Sequence, residues 1–378
     1  MSRITLAFLV LVAASTMTRG SAQAADCNWR VTGKLAVTDA EDAYANRPVA
    51  RPLVGVKVQV AATLYGWGGF TTWDTVETDS AGRFQIVQRK SCSARRFRVW
   101  AKLDSADLQV SNGDGGEWML LRDDASNTFT RPLSSNDLGA FTFATGAPGI
   151  LGDRFAVRRA ITWATVALAM DWLEDRDPWL GFRRKLHVRY PANTPGGSSW
   201  AAIDTAYIHA DEVSDQWDRG TVMHEAMHVW NYDHNSGITN WLAAVIGDHS
   251  THSEQENANI AFHEGFAEFA AWQLLQEIDP TRYVGYRDAS YLAFPTLAQI
   301  ERNDDAVTST LALLEGAMMP LTDLLLCFRG NAALGWPKDL ELGNADAGLL
   351  MFLDRCNDLS ASFTDAEYAS LLKTIDPQ

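Results

Sequence analysis

The segment T-V-M-H-E-A-M-H-V-W-N-Y carries His224 and His228 four positions apart, with Glu225 directly after the first histidine. Four positions are little more than one helical turn, so both imidazoles leave the same face of a helix and can point at one ion. A neutral imidazole binds zinc at about 2.0–2.1 Å, and a carboxylate one step further round the helix can draw a proton from a water on that ion. Val222, Ala226 and Val229 make an apolar stripe on the opposite side, which gives the helix one face for chemistry and one for the core. The expected chemistry is hydrolysis of an amide. Glu225 acts as general base toward the attacking water and then returns the proton to the leaving amine.

A hydrolytic zinc ion takes three protein ligands and keeps one position open, so a third ligand must lie elsewhere in the chain. Two candidates compete. In N-I-A-F-H-E-G-F-A-E-F-A-A-W, Glu264 and Glu268 share one helical face, opposed by Phe262, Phe266 and Phe269, so a second helix could bring Glu264 to the metal. His234 is the alternative, because H-E-A-M-H-V-W-N-Y-D-H matches the metzincin pattern with Asn231 in the glycine position. A metzincin also needs a methionine turn, and G-A-M-M-P at 316–320 lies between L-A-L-L-E and L-T-D-L-L-L, which read as a helix kinked at Pro320. On the residues alone Glu264 and His234 both stand as candidates for the ligand beside His224 and His228, with Zn2+ as the cofactor.

H-E-A-M-H followed by E-G-F-A-E-F resembles the glutamate-zincins, which include the zinc aminopeptidases, and is similar to the secreted peptidases of the plant basic-secretory-protein type. The resemblance implies that the glutamate opening E-G-F-A, Glu264, is the third ligand, and that the catalytic domain is zincin-like. The 35 residues between His228 and Glu264 then imply an insertion at about Asn235 to Asn257. The aminopeptidases carry G-x-M-E-N upstream of the motif to hold a free amine. The corresponding stretch here is A-A-I-D-T-A-Y, which makes an endopeptidase the expectation. Glu268 is either a hydrogen-bond acceptor for a liganding histidine or an ordinary helix carboxylate. His252, Tyr283, Tyr286 and Tyr291 are open candidates for stabilising an oxyanion. His187, His209, His249 and His263 read as surface or core histidines. A non-catalytic secreted binding protein is the rival of a different class.

These helices need a scaffold. Arg154–Trp172, Ala258–Gln276, Leu311–Leu326 and Ala345–Cys356 have apolar residues at helical spacing, while K-L-H-V-R-Y at 185–190 and A-Y-I-H-A at 206–210 read as short strands. The second half is thus mainly helical with a small sheet, and the strand A-Y-I-H-A just upstream of the motif suits an edge that holds extended substrate. From Cys27 to Phe143 the period is two: Val54, Val56, Val58 and Val60 alternate with polar or small residues, Phe84 alternates with Ile86, and T-D-S-A-G-R-F supplies a turn at Asp79 to Gly82. This is an antiparallel β-sandwich, similar at P-L-V-G-V-K-V-Q-V and T-D-S-A-G-R-F-Q-I to transthyretin-like and carboxypeptidase-regulatory-like domains. The fold class expected is multidomain α+β: an accessory sandwich over 25–143, a Gly- and Ser-rich boundary at Ser134 to Gly152, and a catalytic domain over 153–378.

The first residues, M-S-R-I-T-L-A-F-L-V-L-V-A-A-S, followed by S-A-Q-A-A-D, read as a signal peptide over 1–24 with cleavage after Ala24. Secretion is the expectation, and no later stretch reaches the ~20 apolar residues of a membrane span. A formal charge of −15 repels phosphate backbones, which excludes nucleic acid as a partner and leaves a protein or peptide substrate. The cysteines Cys27, Cys92, Cys327 and Cys356 allow three pairings, of which Cys27 with Cys92 and Cys327 with Cys356 keep each bridge inside one domain.

Overall fold

The computed structural model describes residues 26–38, 50–63, 69–91, 96–113, 118–123, 135–143, 155–234, 258–280, 293–294, 296–329 and 348–376. It is a mixed α+β molecule, with three four-stranded sheets among the described residues. The segment expected to be a signal peptide, and the stretch 235–257 expected to be an insertion, lie outside the described residues.

In the first sheet the long strand β1 (Asp26–Thr38) pairs antiparallel with β2 (Ala50–Pro52) and β5 (Arg83–Ser91), and parallel with β9 (Ser135–Phe143). The second sheet runs β4 (Thr71–Glu77), β3 (Lys57–Thr63), β6 (Arg96–Lys102), β8 (Met119–Asp123), all antiparallel. Alternation explains what each strand buries: Val58 and Val60 are fully buried, and Lys57 and Gln59, which alternate with them, are only half-buried. Trp29 of the first sheet lies 5.5 Å from Trp73 and 5.4 Å from Phe97 of the second, centroid to centroid. The turn before β5 is built as its residues require. Asp79 Oδ1 accepts from the backbone of Ala81 and Arg83, and Gly82 sits at φ +72°, where an added Cβ would stand 2.3 Å from the Leu35 carbonyl oxygen.

Two readings of this region change. Val54 precedes the strand instead of belonging to it, because Gly55 at φ +68° breaks the extended run, and Val54 is left exposed. Ser135 to Phe143, expected as the start of a linker, form strand β9, since Arg30 to Val37 of β1 offer a full edge and Phe143 is buried.

The third sheet runs β11 (Trp200–Ala202), β12 (Thr205–His209), β10 (Leu186–Ala192), β7 (Leu108–Ser111), with β10 parallel to both neighbours. Strand β7 comes from the first half of the chain, so the small sheet of the second half is completed by residues 108–111. The two halves are joined further by Trp163 Nε1, which donates to Val54 O at 2.8 Å, by an Arg51–Asp279 ion pair, and by Asp104, which pairs with Lys57 and Lys185.

Eight α-helices are described: α1 (Ala156–Arg176), α2 (Arg219–His234), α3 (Ala258–Ile278), α4 (Leu297–Ile300), α5 (Asp304–Ala317), α6 (Leu321–Leu326), α7 (Leu349–Leu359) and α8 (Asp365–Ile375). Asn303 caps α5 by accepting from Ala306 N, with Asp304 and Asp305 in the first turn. The run expected as one kinked helix is two, α5 and α6, because Pro320 cannot continue the first and instead precedes the second. A disulfide joins Cys327 to Cys356, the pairing expected when each bridge stays inside one domain; Cys27 is also disulfide-bonded, and Cys92 lies outside the described residues. Among the described residues no helix is long and apolar enough to cross a membrane.

Candidate metal centre

Helix α2 is buried on nearly every side, and its open stripe is Gly220, Thr221, His224 and His228. That stripe follows from the sequence: Val222, Met223, Ala226, Met227, Val229 and Trp230 are all buried and leave the i, i+4 histidine pair as the outward edge. Helix α3 behaves likewise, with Phe262, Phe266 and Phe269 fully buried and Glu264, Glu268 and Trp272 on its half-open stripe. Phe262 and Phe266 stack on each other and pack on Phe328 and Phe352, beside the Cys327–Cys356 disulfide, and Trp230 of α2 packs on Phe266. This aromatic cluster is the bed on which the two helices lie.

Their open stripes meet. His224 Nε2 and His228 Nε2 are 3.0 Å apart, and each is 3.3 Å from Glu264 Oε2. Four ligands placed tetrahedrally at about 2.0–2.1 Å from one ion stand about 3.3 Å from one another. The triangle observed matches three such edges, and two ring nitrogens converging on a carboxylate oxygen form a donor set that could hold a metal ion. The three side chains are 17–21% exposed, so solvent reaches one side of the triangle while the helices close the other. Glu225, the residue after His224, is 6% exposed and borders the site from α2.

Of the residues singled out from the sequence, His224, His228 and Glu264 are thus brought together, and His234 is not. His234 is fully buried at the far end of α2, its ring stacked on Trp230 at 4.1 Å. Its Nδ1 faces the Trp230 carbonyl and its Nε2 the Trp179 carbonyl, both at 2.8 Å. Among the described residues, the atoms that could share one metal ion are those of His224, His228 and Glu264, and neither His234 nitrogen is with them. Glu268 is half-buried one turn beyond Glu264. His249, His252, Tyr283, Tyr286 and Tyr291 lie outside the described residues. His187 pairs with Gln109 on the third sheet, where burial lowers its pKa, and His209 pairs with Thr194 at the end of β12.

His263, read from the sequence as a surface or core histidine, is a core one. It is buried on α3, where burial first, and the neighbouring His228 second, push its pKa down to about 3, so it is a neutral ring at physiological pH. Asn231, read at first only as a possible stand-in for glycine, donates from Nδ2 to His263 Nδ1 at 2.7 Å. Nothing in the sequence paired His263 with Asn231, 32 positions away.

No family model matches the chain, and no curated protein sequence matches it. Among solved structures it is similar to a 9R-lipoxygenase from Cyanothece PCC8801, at 13% identity and a TM-score of 0.20, over 39% of this chain and 24% of that one. The chain therefore spans about a quarter of the lipoxygenase it matches, and a likeness of that size carries no argument about fold or chemistry.

Proposed function

We propose that this chain is a secreted zinc-dependent metallopeptidase of the glutamate-zincin type, acting as an endopeptidase on protein or peptide substrates. The observation that supports it is the convergence of His224 Nε2, His228 Nε2 and Glu264 Oε2 within 3.0–3.3 Å from two packed helices. H-E-A-M-H occurs by chance in many helices, but chance does not supply a third ligand 36 positions beyond His228 in an E-G-F-A-E-F segment.

His224, His228 and Glu264 would hold the ion. Zinc there would supply Lewis acidity, polarising the scissile carbonyl and making water more acidic. Glu225 takes the proton of the attacking water and passes it to the departing amine, for which a carboxylate beside the first histidine has the right reach and basicity. Burial of Glu225 at 6% exposure keeps bulk water from competing for that proton. The first two sheets form the transthyretin-like accessory sandwich, and the Cys327–Cys356 disulfide suits the oxidising setting of an exported protein.

The test is Glu225→Gln, which keeps the shape of the side chain and removes its basicity. Zinc content should stay at the wild-type level while cleavage of casein falls by about 10²-fold or more. Undiminished cleavage by the variant removes Glu225 from the mechanism, and a wild-type protein that binds zinc yet cleaves nothing favours the non-catalytic binding protein.

A further inference from the structure

Asn231 lies three residues beyond His228 on α2, and His263 is the residue before Glu264 on α3. Both side chains are turned inward, Asn231 being 1% and His263 9% exposed, and the amide nitrogen of Asn231 donates to His263 Nδ1 at 2.7 Å. One hydrogen bond therefore joins the two ligand-bearing helices immediately below the ligands. Among the described residues, Asn231 Oδ1 and His263 Nε2 are buried with no hydrogen-bond partner. The pair is a poor choice for stability alone: two apolar side chains of similar shape would pack against Trp230 and Phe262 and leave no acceptor or donor unmatched. A polar pair kept at that disadvantage points to a demand for position.

The surrounding contacts cannot meet that demand by themselves. Trp230 of α2 packs on Phe266 of α3 and on Phe328 through dispersion and burial, which are non-directional and tolerate sliding of one helix along another. A hydrogen bond between fixed atoms does not, because its strength falls steeply with distance and angle. A slide of about 1 Å would take Glu264 out of ligand reach, given the tolerance of about 0.2 Å on metal–ligand distances.

We infer that Asn231 and His263 are positioning residues whose hydrogen bond sets the register of α3 on α2 and so brings the Glu264 carboxylate level with His224 and His228. This rests on the reading of those three residues as a metal site. Purified full-length wild type, Asn231→Leu/His263→Leu, His263→Leu and His263→Gln are each titrated with Co2+, reading the visible d–d absorption, with thermal unfolding of the metal-free proteins alongside. The metal-free double variant is expected to unfold at or above the wild-type temperature, while its Co2+ affinity falls about 10- to 100-fold and its absorption band changes shape. In His263→Gln the Oε1 atom can accept from Asn231, and affinity returns to within a few-fold of wild type, whereas His263→Leu does not recover; this comparison decides the matter even where the double variant fails to fold. Wild-type affinity and an unaltered band in the leucine variants overturn the inference alone. A wild-type protein that takes up neither Co2+ nor Zn2+ overturns the metal reading and this inference with it.

Discussion

His234 is the residue at which two pictures of the site part. On α2 it occupies the place of a third imidazole, yet its ring is fully buried between the Trp230 and Trp179 carbonyls. Its work is to tie the last turn of α2 to the short 3₁₀ turn at Pro178–Leu180, where Trp230 Nε1 also donates to Leu180 O. His234→Ala should therefore leave the metal in place and lower stability by about 2–4 kcal/mol, through loss of the buried ring's hydrogen bonding and a cavity beside Trp230. A urea titration with zinc analysis on the same sample checks both halves. The histidine–glutamate pattern was legible because helix period and ligand spacing coincide, and Glu264 because the phenylalanines around it mark a buried helix. What the sequence could not disclose is which histidine looks outward: His228 and His234 differ in burial, which depends on Trp179, 55 positions from His234.

Helix α3 reaches its position through the residue after the ligand. A Cβ on Gly265 would stand 2.6 Å from the Asp304 carbonyl oxygen and 2.8 Å from the Val307 side chain, so only glycine lets α3 lie this close to α5, and Thr308 Oγ1 donates to the Gly265 carbonyl across the contact. Gly265→Ala should push the helices apart, costing about 1–3 kcal/mol and weakening metal binding by moving Glu264; calorimetry of the apo and loaded forms separates the two effects, and an unchanged metal affinity would disconnect this contact from the site. A second element-level tie is Asp104. Burial raises its pKa, but hydrogen bonds and charges from Lys185 and Lys57 outweigh burial and hold it at about 2. Its folded pKa thus lies below the unfolded value of about 3.9, so it contributes stability that is full above that pH and is lost as pH falls through about 2. Acid unfolding of Asp104→Asn should lack this portion of the pH 4 to 2 slope, while identical slopes would contradict it. None of this was readable from local pattern: Asp104 and Lys185 are 81 positions apart, and their meeting depends on how β7 pairs with β10.

That pairing governs the molecule as a whole. The alternation of Leu108 and Val110 marks a strand, and Leu186, Val188 and Tyr190 mark another, but parallel pairing over a separation of 78 residues leaves no local signature. Residues 108–111 therefore complete the sheet on which α2 packs, and the first half of the chain also supplies the Val54 carbonyl for Trp163 and Arg51 for Asp279. A fragment spanning 153–378 should for this reason fail to fold cooperatively or to bind zinc, as followed by circular dichroism, whereas a folded, metal-binding fragment would show the first half to be dispensable. The bed of phenylalanines, the Asn231–His263 bond and the Gly265 contact all converge on one outcome, a carboxylate held at ligand distance from two imidazoles. Elemental analysis of purified protein reads that outcome directly. One zinc per chain is expected in wild type and His234→Ala and none in Glu264→Ala; retention of zinc by Glu264→Ala, or its loss in His234→Ala alone, would contradict the site as assigned.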